Sequence, residues 1–120
     1  MKIVFTTSGT DLDAPLDKRF GRAPRFLVYD LEGQTFEIVE NRQNLNAAQG
    51  AGIQSAEAVA RLGAKAVVTG HCGPKAFRVL SAAGVAILTS GAPTVATALD
   101  QYRSGALTEA RAADVEGHWA

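Results

Sequence analysis

Residues 64–90, AKAVVTGHCGPKAFRVLSAAGVAILTS, decide the fold. The run 64–69 is short and rich in Val and Thr, which reads as a strand. Gly-His-Cys-Gly-Pro at 70–74 then turns the chain. Pro74 suits the first turn of a helix, where its missing N–H costs nothing. Phe77, Leu80 and Ala83 recur at helical spacing, with Lys75, Arg78 and Ser81 elsewhere around the cylinder. Gly84 ends this helix, and 85–89, VAILT, is a second strand. Ser90, Gly91, Ala92 and Pro93 open another helix, with Val95, Ala96, Leu99 and Tyr102 on one side and Gly105 at its end. Such β-α units require parallel, right-handed crossovers.

Upstream, Ile53, Ala56, Val59, Ala60 and Leu62 mark one more helix, and Gly63 stands where a left-handed C-cap belongs. Before it come two six-residue strands, Arg25–Asp30 and Thr35–Glu40, joined by the turn signal LEGQ. They form an expected hairpin. Lys2–Thr7 is a buried strand. Two long polar loops remain, 8–24 and 41–52; the second carries three Asn, two Gln and two Gly. Loops of that length in a small domain tend to be functional or mobile. Residues 106–120 are weakly patterned, and no internal repeat or low-complexity block occurs.

The order β-β-β-α-β-α-β-α predicts an α/β fold with a five-stranded mixed sheet flanked by helices. The first strand should lie centrally, the hairpin on one side and the two later strands on the other. That arrangement puts a topological switch point beside the first strand, where ligands bind outside the strands' carboxyl ends. Residues 8–22, 70–74 and 90–93 should meet there. One domain is expected over 1–107, with a tail at 108–120.

Composition bounds the function. The chain has 120 residues, 47% of them apolar, with 12 basic and 12 acidic side chains. That is one domain with a real core and no global basic character for nucleic acid. A single cysteine excludes an internal disulfide. The apolar run in MKIVFTTSG is too short for a signal peptide, and no segment approaches a membrane span, so a soluble, cytoplasmic protein is expected.

The chemistry converges on His71 and Cys72. A zinc site needs three or four spaced ligands, and the chain offers only these two neighbours and the remote His118. Copper completed by outside ligands stays open. Cys72 ahead of a helix, near His71 and Lys75, has the setting of a reactive thiolate, but a small residue packed in a strand-to-helix turn is the favoured reading. No residue is assignable to orient the histidine as in a triad. GHCGPK is not a Walker loop, yet its glycines, its helix start and Lys75 suit an anion. Lys18, Arg19, Arg22 and Arg25 add cations from the first loop. Asp11, Asp13 and Asp17 could neutralise them; Asp11 and Asp13, as paired carboxylates, suggest instead magnesium chemistry for which no partner carboxylate is assignable.

RFGRAPRFLVYD at 19–30, VENRQN at 39–44, residues 50–88 and ALDQYRSGAL at 98–107 together resemble the dinitrogenase iron–molybdenum cofactor biosynthesis family. That family includes NifX, NafY, the C-terminal part of NifB and small stand-alone members in anaerobes. The resemblance implies a ribonuclease-H-like fold and no catalytic residue. It implies carriage or storage, rather than turnover, of an anionic metal–sulfide cluster. For one small single-domain member this is a molybdenum–copper–sulfide cluster held without metal–thiolate bonds; for the nitrogenase members it is the iron–molybdenum cofactor or a precursor. Partner proteins donating or receiving the cluster follow, with no nucleic acid or membrane.

Carried onto this chain, the site comprises Lys18, Arg19, Phe20, Gly21, Arg22, Asn44, Gly50, Gly52, Ile53, Gly70, His71, Cys72, Gly73 and Lys75, with His71 and Cys72 as candidate metal contacts. Nitrogenase members often carry His where Arg19 stands. A guanidinium pairs with anions but is a poor metal ligand, so electrostatic holding gains. Two other classes compete: a Cys72-dependent redox enzyme, and a protein-binding module using 41–52 and the Trp119 tail.

Overall fold

The computed structural model describes residues 1–41 and 51–110. The elements are β1 (Lys2–Thr7), a 3-10 turn (Phe20–Arg22), β2 (Arg25–Asp30), β3 (Thr35–Glu40), α1 (Ala51–Arg61), β4 (Ala66–Thr69), α2 (Pro74–Ala82), β5 (Ala86–Thr89), α3 (Val95–Ser104) and β6 (Thr108–Glu109). The sheet order is β3-β2-β1-β4-β5-β6. The hairpin therefore lies on one side of β1 and the parallel strands on the other. β1 pairs antiparallel with β2 and parallel with β4; β4 and β5 are parallel.

The sheet has six strands rather than the five expected. Thr108 and Glu109, in the stretch with no legible pattern, pair antiparallel with Thr89 and Leu88. A two-residue edge strand owes its conformation to its partner's free N–H and C=O groups, not to its own side chains.

Side chains alternate across the sheet and build two cores. Val4, Phe26, Val28, Val67 and Ile87 face α1 and α2, meeting Ala56, Val59, Ala76 and Leu80. Ile3, Phe5, Leu27, Tyr29, Ala66 and Val68 face α3, meeting Val95, Ala98 and Leu99. Each fully buried Val or Leu adds about 1.5–3 kcal/mol, so both faces of β1 and β4 must stay covered.

The proline and glycine signals of α2 and the closing Gly105 hold, but α3 begins at Val95 rather than within Ser90–Pro93, because the first free N–H groups find their cap at Thr94. Gly73 precedes α2 with Pro74 in its first turn. Thr94 caps α3 by accepting the Thr97 N–H, and Gly105 closes it at φ 75°. The consequence for function is directional. The connection leaving β4 goes to one face of the sheet, and the connection leaving β5 goes to the other. A crevice therefore opens at the carboxyl ends of β4 and β5.

Candidate functional site

The first loop crosses the sheet edge. Leu12 and Leu16 pack on the α3 face, while Phe20 lies on the other face, 1% exposed and stacked on Phe26 with ring centroids 6.2 Å apart. Between them, residues 17–19 pass over the ends of β1 and β4. Thr6 and Thr69, both fully buried, hold the crossing. The Thr6 hydroxyl donates to the Asp17 carbonyl at 2.8 Å and lies 2.9 Å from the Thr69 hydroxyl. The Asp17 N–H donates to the Thr6 carbonyl, and the Phe20 N–H to the His71 carbonyl at 3.1 Å. Arg19 and His71 form a parallel bridge. These bonds explain why a long polar loop is ordered here: the groups at both strand ends find partners in it.

Gly70 is required by this crossing. A Cβ at that position would stand 2.7 Å from the Lys18 carbonyl oxygen and 2.8 Å from the Lys18 Cα. The switch point expected beside β1 is thus filled by the chain itself. The open crevice lies one strand over, between β4 and β5.

That crevice is a cleft of about 470 Å³ lined by Lys18, Gly70, His71, Thr89, Ser90 and Gly91. All three segments expected to converge do so. Lys18 and His71 are exposed. Among the described residues the Lys18 ammonium makes no ion pair and no hydrogen bond, so its charge is available to an anion. Asp17 is not a counter-ion; its carboxylate accepts the Arg19 N–H at 2.9 Å. Asp11 likewise accepts the Asp13 N–H. The Asp11 and Asp17 carboxylates thus shape the loop's backbone, and among the described residues neither forms an ion pair with its cations.

The cations separate by role. Arg25 is tied to Glu40 at 2.8 Å and to the Ser8 carbonyl at 2.6 Å, so its charge is spent. Arg19 and Arg22 are exposed, and Arg22 sits on the 3-10 turn that packs against α1. Lys75 is exposed on the first turn of α2, outside the cleft lining, as is the N-cap Gly73. Gly52 lies where α1 meets α2, its added Cβ standing 3.4 Å from that of Ala76, and Ile53 is half-buried beside it. Phe20 and Cys72 belong to the core rather than to the cleft wall. Cys72 is 1% exposed, with Sγ 3.7 Å from the Gly73 carbonyl oxygen. Gly21 is half-buried on the 3-10 turn. Asn44, Gly50, His118 and Trp119 lie outside the described residues.

Among the described residues no group of three or more His, Cys, Asp or Glu side chains is placed to hold a metal ion. The residue identities at 89–91 were not among the predicted contacts. Strand-end threonines and turn glycines carry no chemical signature; only the expectation that 90–93 joins the edge pointed to them.

Comparison with known proteins identifies the family. Residues 1–105 match the family described as dinitrogenase iron-molybdenum cofactor. The apo form of the orange protein from Desulfovibrio gigas is 36% identical, with a TM-score of 0.90 over 95% of this chain and 96% of that one. A Thermotoga protein described provisionally as NifB is 31% identical, with a TM-score of 0.84 over 97% and 98% of the two chains. An uncharacterized protein of Methanocaldococcus jannaschii is 27% identical over 77% of this chain and 80% of its own length. The chain belongs to the dinitrogenase iron-molybdenum cofactor family.

Proposed function

We propose that this protein binds an anionic metal–sulfide cluster in the cleft between β4 and β5 and carries or stores it without turnover. The observation that supports this most is the Lys18 ammonium, unpaired among the described residues and lining the cleft with His71, on a loop whose backbone is bonded to Thr6 of β1 and to His71 just past β4. A cluster that supplies its own sulfides needs cations and N–H donors rather than thiolates. The molybdenum–copper–sulfide cluster is the first candidate, given the likeness to the orange protein. The iron–molybdenum cofactor or a precursor is the alternative suggested by the family. This reading takes the protein as a cytoplasmic carrier on a ribonuclease-H-like fold that exchanges its cargo with partner proteins. Among the described residues, no helix is long and apolar enough to cross a membrane.

The test is an anaerobic titration with tetrathiomolybdate and copper(I), followed by visible absorption and by elemental analysis after gel filtration. A protein-bound chromophore with molybdenum and copper in fixed ratio is expected. It should weaken as salt shortens the screening length from roughly 30 Å at 0.01 M to about 10 Å at 0.1 M. It should weaken again in a Lys18→Ala, Arg19→Ala double variant. A colourless eluate would sink the reading. The competing redox-enzyme reading needs an accessible Cys72, and 1% exposure speaks against it.

A further inference from the structure

The cleft has a second wall, built by the β5–α3 turn, and it bears no charge. Thr89 closes β5, paired by backbone to Thr69 and Thr108, so its main chain is fixed on both sides. Its hydroxyl has no partner among the described residues, although Thr89 lines the cleft. Ser90 is spent on the fold. Its hydroxyl donates to Gln101 Oε1 at 2.6 Å and accepts the Ala92 N–H at 3.0 Å, which locks the turn. Gly91 follows, exposed, its N–H without a partner among the described residues. A Cβ at Gly91 would meet nothing within 4 Å, so packing does not require glycine there. Two donors thus stand without partners, among the described residues, on the β5 side of a cleft that Lys18 from the crossing loop and His71 from just past β4 also line.

We infer that residues 89–91 form a hydrogen-bonding wall that recognises one end of a tetrahedral oxo- or thio-anion, through the Thr89 hydroxyl and the Gly91 N–H. This rests on the cargo reading above and adds the ligand's shape. Adjacent strands lie roughly 4.8 Å apart, so the Thr89 and Gly91 donors at the end of β5 stand close to Gly70 and His71 past the end of β4, and Lys18 approaches from the crossing loop. Four acceptor corners in no common plane meet such a set; a spherical ion meets only part of it. Neutral donors that do not move on binding hold an anion without the desolvation cost of a further buried charge.

Tetrathiomolybdate alone is the probe, titrated into the wild-type protein and into Thr89→Val, Thr89→Ser and Lys18→Ala variants. Binding is read by absorption and by the amide resonances of the labelled protein. Thr89→Val keeps the branched shape and should lose affinity about tenfold, the effect of one hydrogen bond to an anion. Thr89→Ser should stay within about twofold of wild type. The Gly91 amide should shift in the wild-type protein, and sodium chloride at matched ionic strength should leave it unmoved. That amide readout holds even if Thr89→Val proves unstable. Binding weakened by Lys18→Ala, but with Thr89→Val unchanged and Gly91 unmoved, would overturn the wall and leave the cargo reading intact. A Gly91 shift with chloride as large as with tetrathiomolybdate would overturn the tetrahedral selectivity. No binding of tetrathiomolybdate, with or without copper, would overturn both.

Discussion

Replacing Gly70 by alanine should damage the protein out of proportion to one methyl group. The added Cβ would stand 2.7 Å from the Lys18 carbonyl oxygen and 2.8 Å from its Cα. Both are backbone atoms, so no side-chain rotation relieves the clash. The 2.7 Å approach falls about 0.7 Å short of 3.4 Å, where ordinary van der Waals contact begins. The crossing must move outward, but it is held by the Asp17 N–H on the Thr6 carbonyl at 2.8 Å and the Phe20 N–H on the His71 carbonyl at 3.1 Å. Overpacking of this kind costs about 1–3 kcal/mol, and strain on two backbone bonds puts the loss near the top of that range. With about 4 °C per kcal/mol for a chain this long, the melting temperature should fall by about 8–12 °C. Thermal and urea denaturation measure it. Gly91→Ala is the control, because its Cβ meets nothing within 4 Å; its melting should change by less than about 2 °C. Loss of cluster binding in Gly70→Ala should exceed the loss expected from stability alone, because Lys18 itself is displaced. A Gly70→Ala protein that melts with wild type would refute the close approach and with it the account of how the cleft is held.

Cys72→Ser should retain tetrathiomolybdate–copper binding while losing about 1–3 kcal/mol of stability, because a hydroxyl replaces a thiol in the core; loss of binding at unchanged fold would return the thiol to the site. In the native protein Cys72 should resist thiol reagents until denaturant is added, as a timed labelling assay would show. Arg25→Ala should cost no more than about 1 kcal/mol and leave binding unchanged, since an exposed pair with Glu40 contributes little and its charge is already matched. Thr69→Val should cost about 1–2 kcal/mol in urea unfolding by removing one hydroxyl from the buried Thr6–Thr69 pair, and should loosen the Lys18 loop, visible as faster amide exchange at 18–20.

Much of this fold is written in local signals. Pro74, Gly63, Gly84 and Gly105 punctuate helices because backbone sterics act residue by residue. The hairpin follows from two six-residue runs around a turn. Placing β1 between the hairpin and the parallel strands required only connection rules. The site was legible to the extent that topology places loops: residues around 18, 70 and 90 share one edge whatever their side chains.

What only the tertiary structure decided depends on distance in space. Arg19 and Arg25 are chemically alike in sequence, but Glu40 occupies one of them through strand pairing. Cys72 and His71 are neighbours, yet one points into the core and the other outward, a difference set by how α2 docks on the sheet. The crevice moved one strand over because the first loop found two buried threonines and closed the gap beside β1. β6 exists because β5 had an unpaired edge. The donors at 89–91 became visible only once their neighbours were counted. Local sterics and periodicity belong to the chain and can be read from it. Pairing, burial and the vacancy of a hydrogen-bonding group are properties of what packs alongside, and those are settled only when the chain has folded.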